Sequence, residues 1–246
     1  MENIKYILNR FNNTEALNRQ FKGTEPVPYL VLDNFFPSQT AINLERECEQ
    51  IELEHWTKFT RLDSYMEECI KIEHMPYAFN IINEIHSKLG MEWLSQVTGI
   101  PDLLPDPYLV GAGYSRSYKG NCLKVHTDFN WNDKLKLHRR ATLIVYLSSL
   151  WKESYGGDLE FWDYEKTGPV VKFSTLFNRC IIWEHHNRGF HGFPEPIKCP
   201  ESISRNTLRL FFYSSNLDPD QWEPPHRSLY WYDKDSKTPY DDRTHR

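Results

Sequence analysis

Four short runs of β-branched and aromatic residues constrain the fold of this chain more than any other feature. They are TLIVYL (142–147), GDLEFWD (157–163), CIIWE (180–184) and LRLFFYS (208–214). Gly, Pro, Asn and Asp residues separate these runs, and several short strands at such spacing are typical of a β-sandwich or β-barrel. The sequence therefore predicts a β core, which we place at residues 106–215.

The preceding residues have a different pattern. YLVL (29–32) predicts one short strand, whereas TAINLERECEQIELEHW, YAFNIINEIHSKLG and MEWLSQVTGI have the apolar spacing of helices, the last two ended by Gly90 and Gly99. PDLLPDP (101–107) then breaks helix formation. We expect a single catalytic domain over 1–246, in which a helix-rich N-terminal support (1–105) precedes the β core and a C-terminal tail (216–246) follows it.

Composition and charge exclude several classes of protein. Aromatic residues make up 15% of the chain, enough to build a core, so a mainly disordered chain is not expected. The net charge of −5 argues against a nucleic-acid partner. The chain has no apolar run of about 18 residues, no signal-peptide pattern at its start and no CxxC pair among its five cysteines. We expect a cytoplasmic protein without a membrane partner.

The segment LKVHTDFNW carries the first candidate metal ligands. His126 and Asp128 are two residues apart in an extended segment, so their side chains share one face. His191 in RGFHGFPEP is the best candidate for a third ligand, with His185 and His186 as rivals closer to the preceding strand. Two histidines and one carboxylate form the facial triad of non-haem Fe(II) oxygenases, which leaves positions for substrate and O₂.

The last predicted strand carries a candidate anion-binding pair in SRNTLRLFFYSS. Arg205 and Thr207 share one face of this strand, and a guanidinium beside a hydroxyl suits a carboxylate because the hydrogen bonds are charge-assisted. Arg209 has the same parity and is the alternative to Arg205.

The order of these motifs resembles that of the 2-oxoglutarate/Fe(II)-dependent dioxygenases, and most closely their prolyl-4-hydroxylase-like branch. The shared order is HxD, a strand preceded by GG, a distal His followed by Gly and Pro, and RxT on the last strand. The loop between His191 and Arg205 is longer than is common in that branch, which keeps Arg209 open as the alternative. The segments that match are LVGAGYSRSYKGNCLKVHTDFNWN, RRATLIVYLSSLW, YGGDLEFWD, FNRCIIWE, HGFPEPIKCP, PYLVLDNFFP and VTGIPDLLPDP.

This resemblance implies a double-stranded β-helix (a cupin-like jelly roll) in which His126, Asp128 and His191 bind Fe(II). Arg205, with help from Thr207, would hold the distal carboxylate of 2-oxoglutarate. The residues implied near this cosubstrate are Tyr114, Leu123 and Tyr146. The residues that we consider for substrate contact are Asn130, Trp131, Trp183 and Arg209.

The implied reaction is hydroxylation of an unactivated C–H bond, with conversion of 2-oxoglutarate and O₂ to succinate and CO₂ and with ascorbate as an optional stimulant. Asp128 favours hydroxylation, because halogenases of this family lack that carboxylate. We expect a small-molecule substrate (a metabolite, sugar or natural-product intermediate) facing the segment 129–139. The alternatives are a protein (prolyl) hydroxylase and a jelly-roll protein that binds or senses metal and 2-oxoglutarate without turnover. The oligomeric state stays open.

Overall fold

A computed structural model describes residues 1–61, 64–165, 167–215, 222–230 and 240–241. Its α-helices are α1 (Glu2–Arg10), α2 (Thr14–Lys22), α3 (Ser38–Gln50), α4 (Pro76–Ile85) and α5 (Lys88–Thr98), and its short 3₁₀ helices are Leu53–His55, Ile72–His74 and Glu153–Tyr155. Its strands are β1 (Tyr29–Leu32), β2 (Thr57–Arg61), β3 (Ser64–Cys69), β4 (Leu104–Pro105), β5 (Gly113–Ser117), β6 (Leu123–Thr127), β7 (Trp131–Asn132), β8 (Leu137–Tyr146), β9 (Leu159–Trp162), β10 (Pro169–Phe173), β11 (Cys180–Glu184), β12 (His191–Phe193), β13 (Arg205–Ser214), β14 (Leu229–Tyr230) and β15 (Tyr240–Asp241).

The strands form two antiparallel sheets. The larger sheet has the order β1-β11-β8-β13-β5-β3-β2, with β4 beside β13 and β7 beside β8. The smaller sheet has the order β10-β9-β12-β6-β14-β15. Each of the four apolar runs predicted to be strands contains or overlaps one, namely β8, β9, β11 and β13, so the predicted mainly β fold is confirmed.

One apolar cluster lies between the two sheets. Successive side chains of a strand point to opposite faces, and β8 shows the consequence. Ile144 and Tyr146 contact Leu159 and Phe161 of the smaller sheet, whereas Leu143 and Val145 pack into the core on the other face of the larger sheet. Both faces of β8 are therefore buried, which explains why TLIVYL is apolar without alternation.

The helices cover the outer face of the larger sheet. Buried residues of α3, α4 and α5 join the strands in one large core cluster. Gly99 caps α5 in the left-handed conformation with φ of 71°, as the sequence predicts. The expectation that Gly90 ends a helix is wrong. The chain turns after Ile85, Ser87 caps the start of α5, and Gly90 lies in its first turn, where a Cβ atom would stand 2.0 Å from the carbonyl oxygen of Ile85.

The C-terminal tail contributes two short strands, β14 and β15, to the smaller sheet. Tyr230 of β14 pairs with His126 of β6, and Leu229 pairs with Thr127. The side chain of Asn130 ties the segment before β14 to the body, because it donates to the carbonyl of Pro224 and accepts from the amide of His226. Residues 216–221, 231–239 and 242–246 of the tail lie outside the described residues. In the described part of the chain, no helix has the length and apolar character needed to cross a membrane.

Candidate metal centre and adjoining cavity

Two neighbouring strands of the smaller sheet bring the predicted metal ligands together. His126 lies on β6 and His191 begins β12, and the two residues are opposite each other in the pairing of these strands. Asp128 follows directly after β6. Ligand atoms of the three side chains all lie within 4.8 Å of one another, and the rivals His185 and His186 are not part of this group.

Backbone carbonyls orient both imidazoles. The Nδ1 atom of His126 lies 2.8 Å from the carbonyl oxygen of Lys124, and that of His191 lies 2.8 Å from the carbonyl oxygen of Gly189. A hydrogen on each Nδ1 leaves the lone pair on Nε2. The Nε2 atoms are 3.6 and 3.4 Å from the Asp128 carboxylate oxygens. The two Nε2 atoms and the Asp128 carboxylate are therefore close enough to bind one metal ion.

Arg139 holds the carboxylate of Asp128. Its Nη2 atom donates to Asp128 Oδ2 at 2.8 Å and to Thr142 Oγ1 at 2.7 Å. Burial opposes ionisation of Asp128, but the charge of Arg139 and the two imidazoles outweigh it and hold the pKa of this carboxyl well below its usual value. Burial lowers the pKa of His126, although Asp128 opposes that shift. The buried set is thus an ionised carboxylate with a neutral His126 beside it.

Arg205, the first residue of β13, is a buried cation. Its side chain is 6% exposed. Its Nε atom donates to the carbonyl of Gly157 at 2.7 Å, and Nη2 donates to the Tyr146 hydroxyl at 3.3 Å. Burial lowers the pKa of Arg205, and nearby Tyr146 opposes that shift. Within the described residues, no carboxylate lies at ion-pair distance from this guanidinium.

Arg209, the alternative to Arg205, already has a carboxylate partner. Its Nη2 atom donates to Glu68 Oε1 at 2.7 Å. Thr207 lies between the two arginines along β13, and its hydroxyl is 2.6 Å from that of Ser115. The two arginines that the sequence left as alternatives therefore differ in environment. Arg209 forms an ion pair with Glu68, whereas Arg205 forms none with a described carboxylate and interacts with Asp158 only beyond ion-pair distance.

The three candidate metal ligands and both arginines, Arg205 and Arg209, line one cavity of 210 Å³. We call the side formed by Leu123, Phe193, Arg205 and Thr207 the Arg205 end, and the side formed by Phe59, Met66, Glu68, Arg209 and Tyr230 the Glu68 end. The remaining lining residues are Gly111, Ser115, Ser117, His126, Asp128, Phe129, Arg139, Thr142, Ile144, Leu159, Trp183, His191, Phe211 and Ser228.

A groove of 610 Å³ adjoins the Glu68 end. It shares Phe59, Phe129, Ser228 and Tyr230 with the cavity. Lys134 and Trp131 also line it, so the segment after HxD that we expected to face the substrate forms one of its walls.

The structure places the other predicted site residues in three environments. Leu123 and Trp183 line the cavity, and the Trp183 ring lies edge-on to His191 with centroids 5.3 Å apart. Tyr146 contacts Arg205 through its hydroxyl. The placement of Tyr114 beside the cosubstrate is corrected, because this side chain points to the opposite face of β5. Its hydroxyl contacts the carbonyl of Leu44 and the carboxylate of Glu47, in the helical layer.

The two residues proposed for substrate contact in the segment after HxD lie farther out. Trp131 lines the groove and packs edge-on against His138. Asn130 binds the C-terminal segment, as described above, so its side chain amide is engaged in holding Pro224 and His226. The suggestion that Asn130 contacts substrate is therefore replaced by a structural role.

The comparison with known families agrees with this geometry. Residues 112–213, from before β5 to the end of β13, match the model of the 2OG-Fe(II) oxygenase superfamily. This segment, less than half of the chain, is therefore similar to that superfamily and contains His126, Asp128, His191 and Arg205. No curated protein matches the chain in sequence.

Solved structures share the fold of this chain at low identity. A prolyl hydroxylase from Trichoplax adhaerens, in complex with a hypoxia inducible factor peptide, is 14% identical with a TM-score of 0.58, over 83% of this chain and 92% of that one. A Pseudomonas putida prolyl-4-hydroxylase is 14% identical with a TM-score of 0.55, over 80% and 98%. HygX from Streptomyces hygroscopicus, with nickel and 2-oxoglutarate bound, is 10% identical with a TM-score of 0.51, over 83% and 89%.

Several residues that line the cavity were not predicted from the sequence. Arg139 belongs to RRATL, and nothing in that segment distinguishes it from Arg140, which points elsewhere and pairs with Glu184. Glu68 lies in a charged stretch that reads as solvated. Tyr230 comes from the tail, yet its ring stacks on His126 with centroids 4.8 Å apart. No local signal marks these three residues, because strand pairing alone brings them to the cavity.

Proposed function

We propose that this protein is an Fe(II)- and 2-oxoglutarate-dependent hydroxylase that acts on an unactivated C–H bond of a small molecule. The observation that carries the proposal is the combination of three convergent ligand atoms with a buried guanidinium, Arg205, that forms no ion pair with a described carboxylate and interacts with Asp158 only beyond ion-pair distance. A buried cation without an ion pair is costly. The distal carboxylate of 2-oxoglutarate would supply the missing counter-charge.

The residues present fit an iron ion. Two imidazole nitrogens and one carboxylate oxygen suit non-haem Fe(II) and leave positions for other ligands. His126, Asp128 and His191 would hold the metal. The carbonyls of Lys124 and Gly189 fix the rings, and Arg139 fixes the carboxylate, as such outer contacts commonly do in metal sites.

The chain itself contributes binding, orientation and exclusion of water. When bound, iron and 2-oxoglutarate supply the oxidising chemistry, in which R–H, O₂ and 2-oxoglutarate become R–OH, succinate and CO₂. Arg205 and Thr207 would orient the cosubstrate toward the three ligands, with the Tyr146 hydroxyl supporting Arg205. Trp183 and Phe161 pack against His191 and keep water from that side of the centre.

The topology supports a double-stranded β-helix as the finer description of the fold. Two antiparallel sheets face each other across an apolar cluster, and the ligands lie at one end of the smaller sheet. We further propose a single catalytic domain over 1–246, with the N-terminal part as a support. Its helices share one core cluster with the strands of the larger sheet, and β8 of that sheet also contributes to the cluster between the two sheets.

A protein hydroxylase is the second candidate. The groove of 610 Å³ that adjoins the cavity favours it, because an extended chain needs a surface channel beside the reacting centre. The cavity favours the small molecule, because it brings three charged side chains, Glu68, Arg139 and Arg209, close to the ligands. Succinate release stimulated by prolyl peptides and not by small molecules would decide for the second candidate.

Anaerobic reconstitution with Fe(II) and 2-oxoglutarate tests the proposal. The expected result is the weak visible charge-transfer band of an iron-bound 2-oxo acid. Folded, metal-loaded protein without this band would refute the role of 2-oxoglutarate. A band without substrate-stimulated succinate release over a broad screen of small molecules and peptides would favour a binding or sensing protein.

A further inference from the structure

We propose that Arg209 binds a carboxylate of the primary substrate, which is therefore a small carboxylic acid with an apolar body. This inference rests on the proposed hydroxylase function. Arg209 shares one face of β13 with Arg205, four residues away, so the two backbone positions are about 13 Å apart along the strand. One arginine thus stands at each end of the cavity, which allows them to bind different anions.

The net charge of the cavity favours a substrate with a negative charge. Its charged lining residues are three cations, Arg139, Arg205 and Arg209, and two carboxylates, Glu68 and Asp128. Fe(II) and the dianion of 2-oxoglutarate cancel each other. The lining of the loaded cavity would therefore carry one more positive than negative charge, and Asp158, a carboxylate outside the lining, interacts with Arg205. Because buried charges are costly without a partner, a substrate with one negative charge fits this cavity better than a neutral one.

Of the three cations in the cavity lining, Arg209 is the one that remains available to a substrate. Arg205 is assigned to 2-oxoglutarate. Arg139 also has buried nitrogens without a hydrogen-bond partner, Nε and Nη1. It is nevertheless held in place, because it is 1% exposed, its Nη2 atom is bound to Asp128 and Thr142, and its guanidinium lies 3.5 Å from the ring centroid of Phe211. Arg209 is less enclosed, with a side chain that is 15% exposed, and it contacts Glu68 through Nη2 alone. Its buried Nε atom has no hydrogen-bond partner.

Such an Nε atom is a polar group that a ligand can satisfy. A guanidinium has five N–H donors and binds carboxylates through pairs of them. The contact with Glu68 uses one nitrogen, so Arg209 keeps the capacity for a second carboxylate. Glu68 is 20% exposed in its side chain, and its negative charge lowers the attraction of Arg209 for an incoming anion.

The remaining walls of the Glu68 end indicate the body of the substrate. Phe59, Met66 and Tyr230 belong to this end, and Phe129 and Phe211 also line the cavity. Four aromatic rings and a thioether bind apolar or aromatic groups and contribute no formal charge. A carboxylate on Arg209 would leave the apolar body between these rings and near the metal ligands.

A matched pair of probes tests the inference on the full chain. 3-Phenylpropanoate and 3-phenylpropanamide have nearly the same shape and differ in charge. Each is titrated into the anaerobic complex of protein, Fe(II) and 2-oxoglutarate, and the perturbation of the visible band gives its affinity. We expect the acid to bind about tenfold more tightly than the amide, or better.

Three variants assign this preference to Arg209. Arg209→Gln should keep the band at saturating 2-oxoglutarate and lose the preference for the acid, whereas Arg209→Lys should keep part of it. Glu68→Gln should tighten binding of the acid by roughly threefold, because it removes the competing carboxylate. This variant, together with the wild-type comparison, keeps the test decisive if Arg209→Gln does not fold.

The contrary outcomes distinguish the assignment of Arg209 from the proposed function. Equal affinities of acid and amide in the wild type, no perturbation of the band by either probe, or an acid preference that survives Arg209→Gln would overturn the assignment of Arg209. In all three cases the band itself is present, so these outcomes leave the binding of Fe(II) and 2-oxoglutarate, on which the proposed function rests, untouched. Absence of the band in the wild type would overturn the proposed function instead.

Discussion

The Arg205 end and the Glu68 end of the cavity differ in how the chain builds them. The Arg205 end and the metal ligands come from β6, β12 and β13, which lie within residues 123–214. The Glu68 end combines Arg209 of β13 with residues of β2 and β3, which precede the matched segment, and of β14, which follows it. The Arg205 end thus lies within one compact segment, whereas most residues of the Glu68 end come from outside it.

The two ends also differ in charge. Arg205 forms no ion pair with a described carboxylate, and Arg209 contacts Glu68. A buried cation prepared for a dianion needs no internal counter-ion once the ligand is bound. A cation such as Arg209, which already has a carboxylate partner, can keep its position without a ligand. It can then exchange that partner for the carboxylate of a ligand. The following predictions test this difference, beginning with the largest effect.

Loss of Asp128 should have the largest effect, because it removes one of three ligands at the centre common to both ends. Asp128→Ala should weaken Fe(II) binding by more than about 100-fold, which exceeds the usual cost of losing an outer contact. Metal titration monitored by Co(II) absorption measures this. His138→Ala is the control, since that ring packs on Trp131 outside the ligand group. Wild-type affinity in Asp128→Ala would exclude Asp128 as a ligand.

The second prediction contrasts the two arginines directly. Arg205→Ala should raise the Kd of 2-oxoglutarate by about 30-fold or more, because loss of a buried charged contact costs about 2–5 kcal/mol. Arg209→Ala should change this Kd by no more than roughly threefold. Anaerobic titration of the visible band gives both values. The reverse order would place the cosubstrate on Arg209 and exchange the roles of the two ends.

The third prediction concerns Arg139, which contacts a ligand residue and lines the cavity. Arg139→Gln should reduce Fe(II) affinity by about tenfold, since it leaves the carboxylate of Asp128 without its charged partner. Arg140→Gln is the matched control, because this neighbouring buried arginine pairs with Glu184. Equal effects of the two substitutions would show that Arg139 acts through general stability. Thermal unfolding of both variants should accompany the metal titration.

The smallest effect is expected at Tyr230. Tyr230→Ala should raise the apparent KM of an identified substrate by a few-fold, because it removes one wall of the Glu68 end. The Kd of 2-oxoglutarate should stay within about twofold, and Tyr230→Phe should keep the ring that stacks on His126. If Tyr230→Ala changed the Kd of 2-oxoglutarate more than the KM of the substrate, Tyr230 would belong to the Arg205 end instead of the Glu68 end.

The amino-acid sequence by itself determined the strands of the core and the grouping of His126 with Asp128. Both depend on local spacing, namely runs of β-branched and aromatic residues and the period of two along a strand. His191 and Arg205 needed the resemblance as well, because the signal that identifies them is the order of motifs and not their spacing.

Only the tertiary structure decided which side of a strand faces the cavity and which distant residues join it. Tyr114 was placed beside the cosubstrate, yet its face of β5 meets the helices. Arg139 and Arg140 are equivalent in the sequence and point in opposite directions in β8. Glu68 and Tyr230 reach the cavity through strand pairing over long separations. Such pairing depends on how the sheets assemble as a whole, so no local pattern in the chain records it.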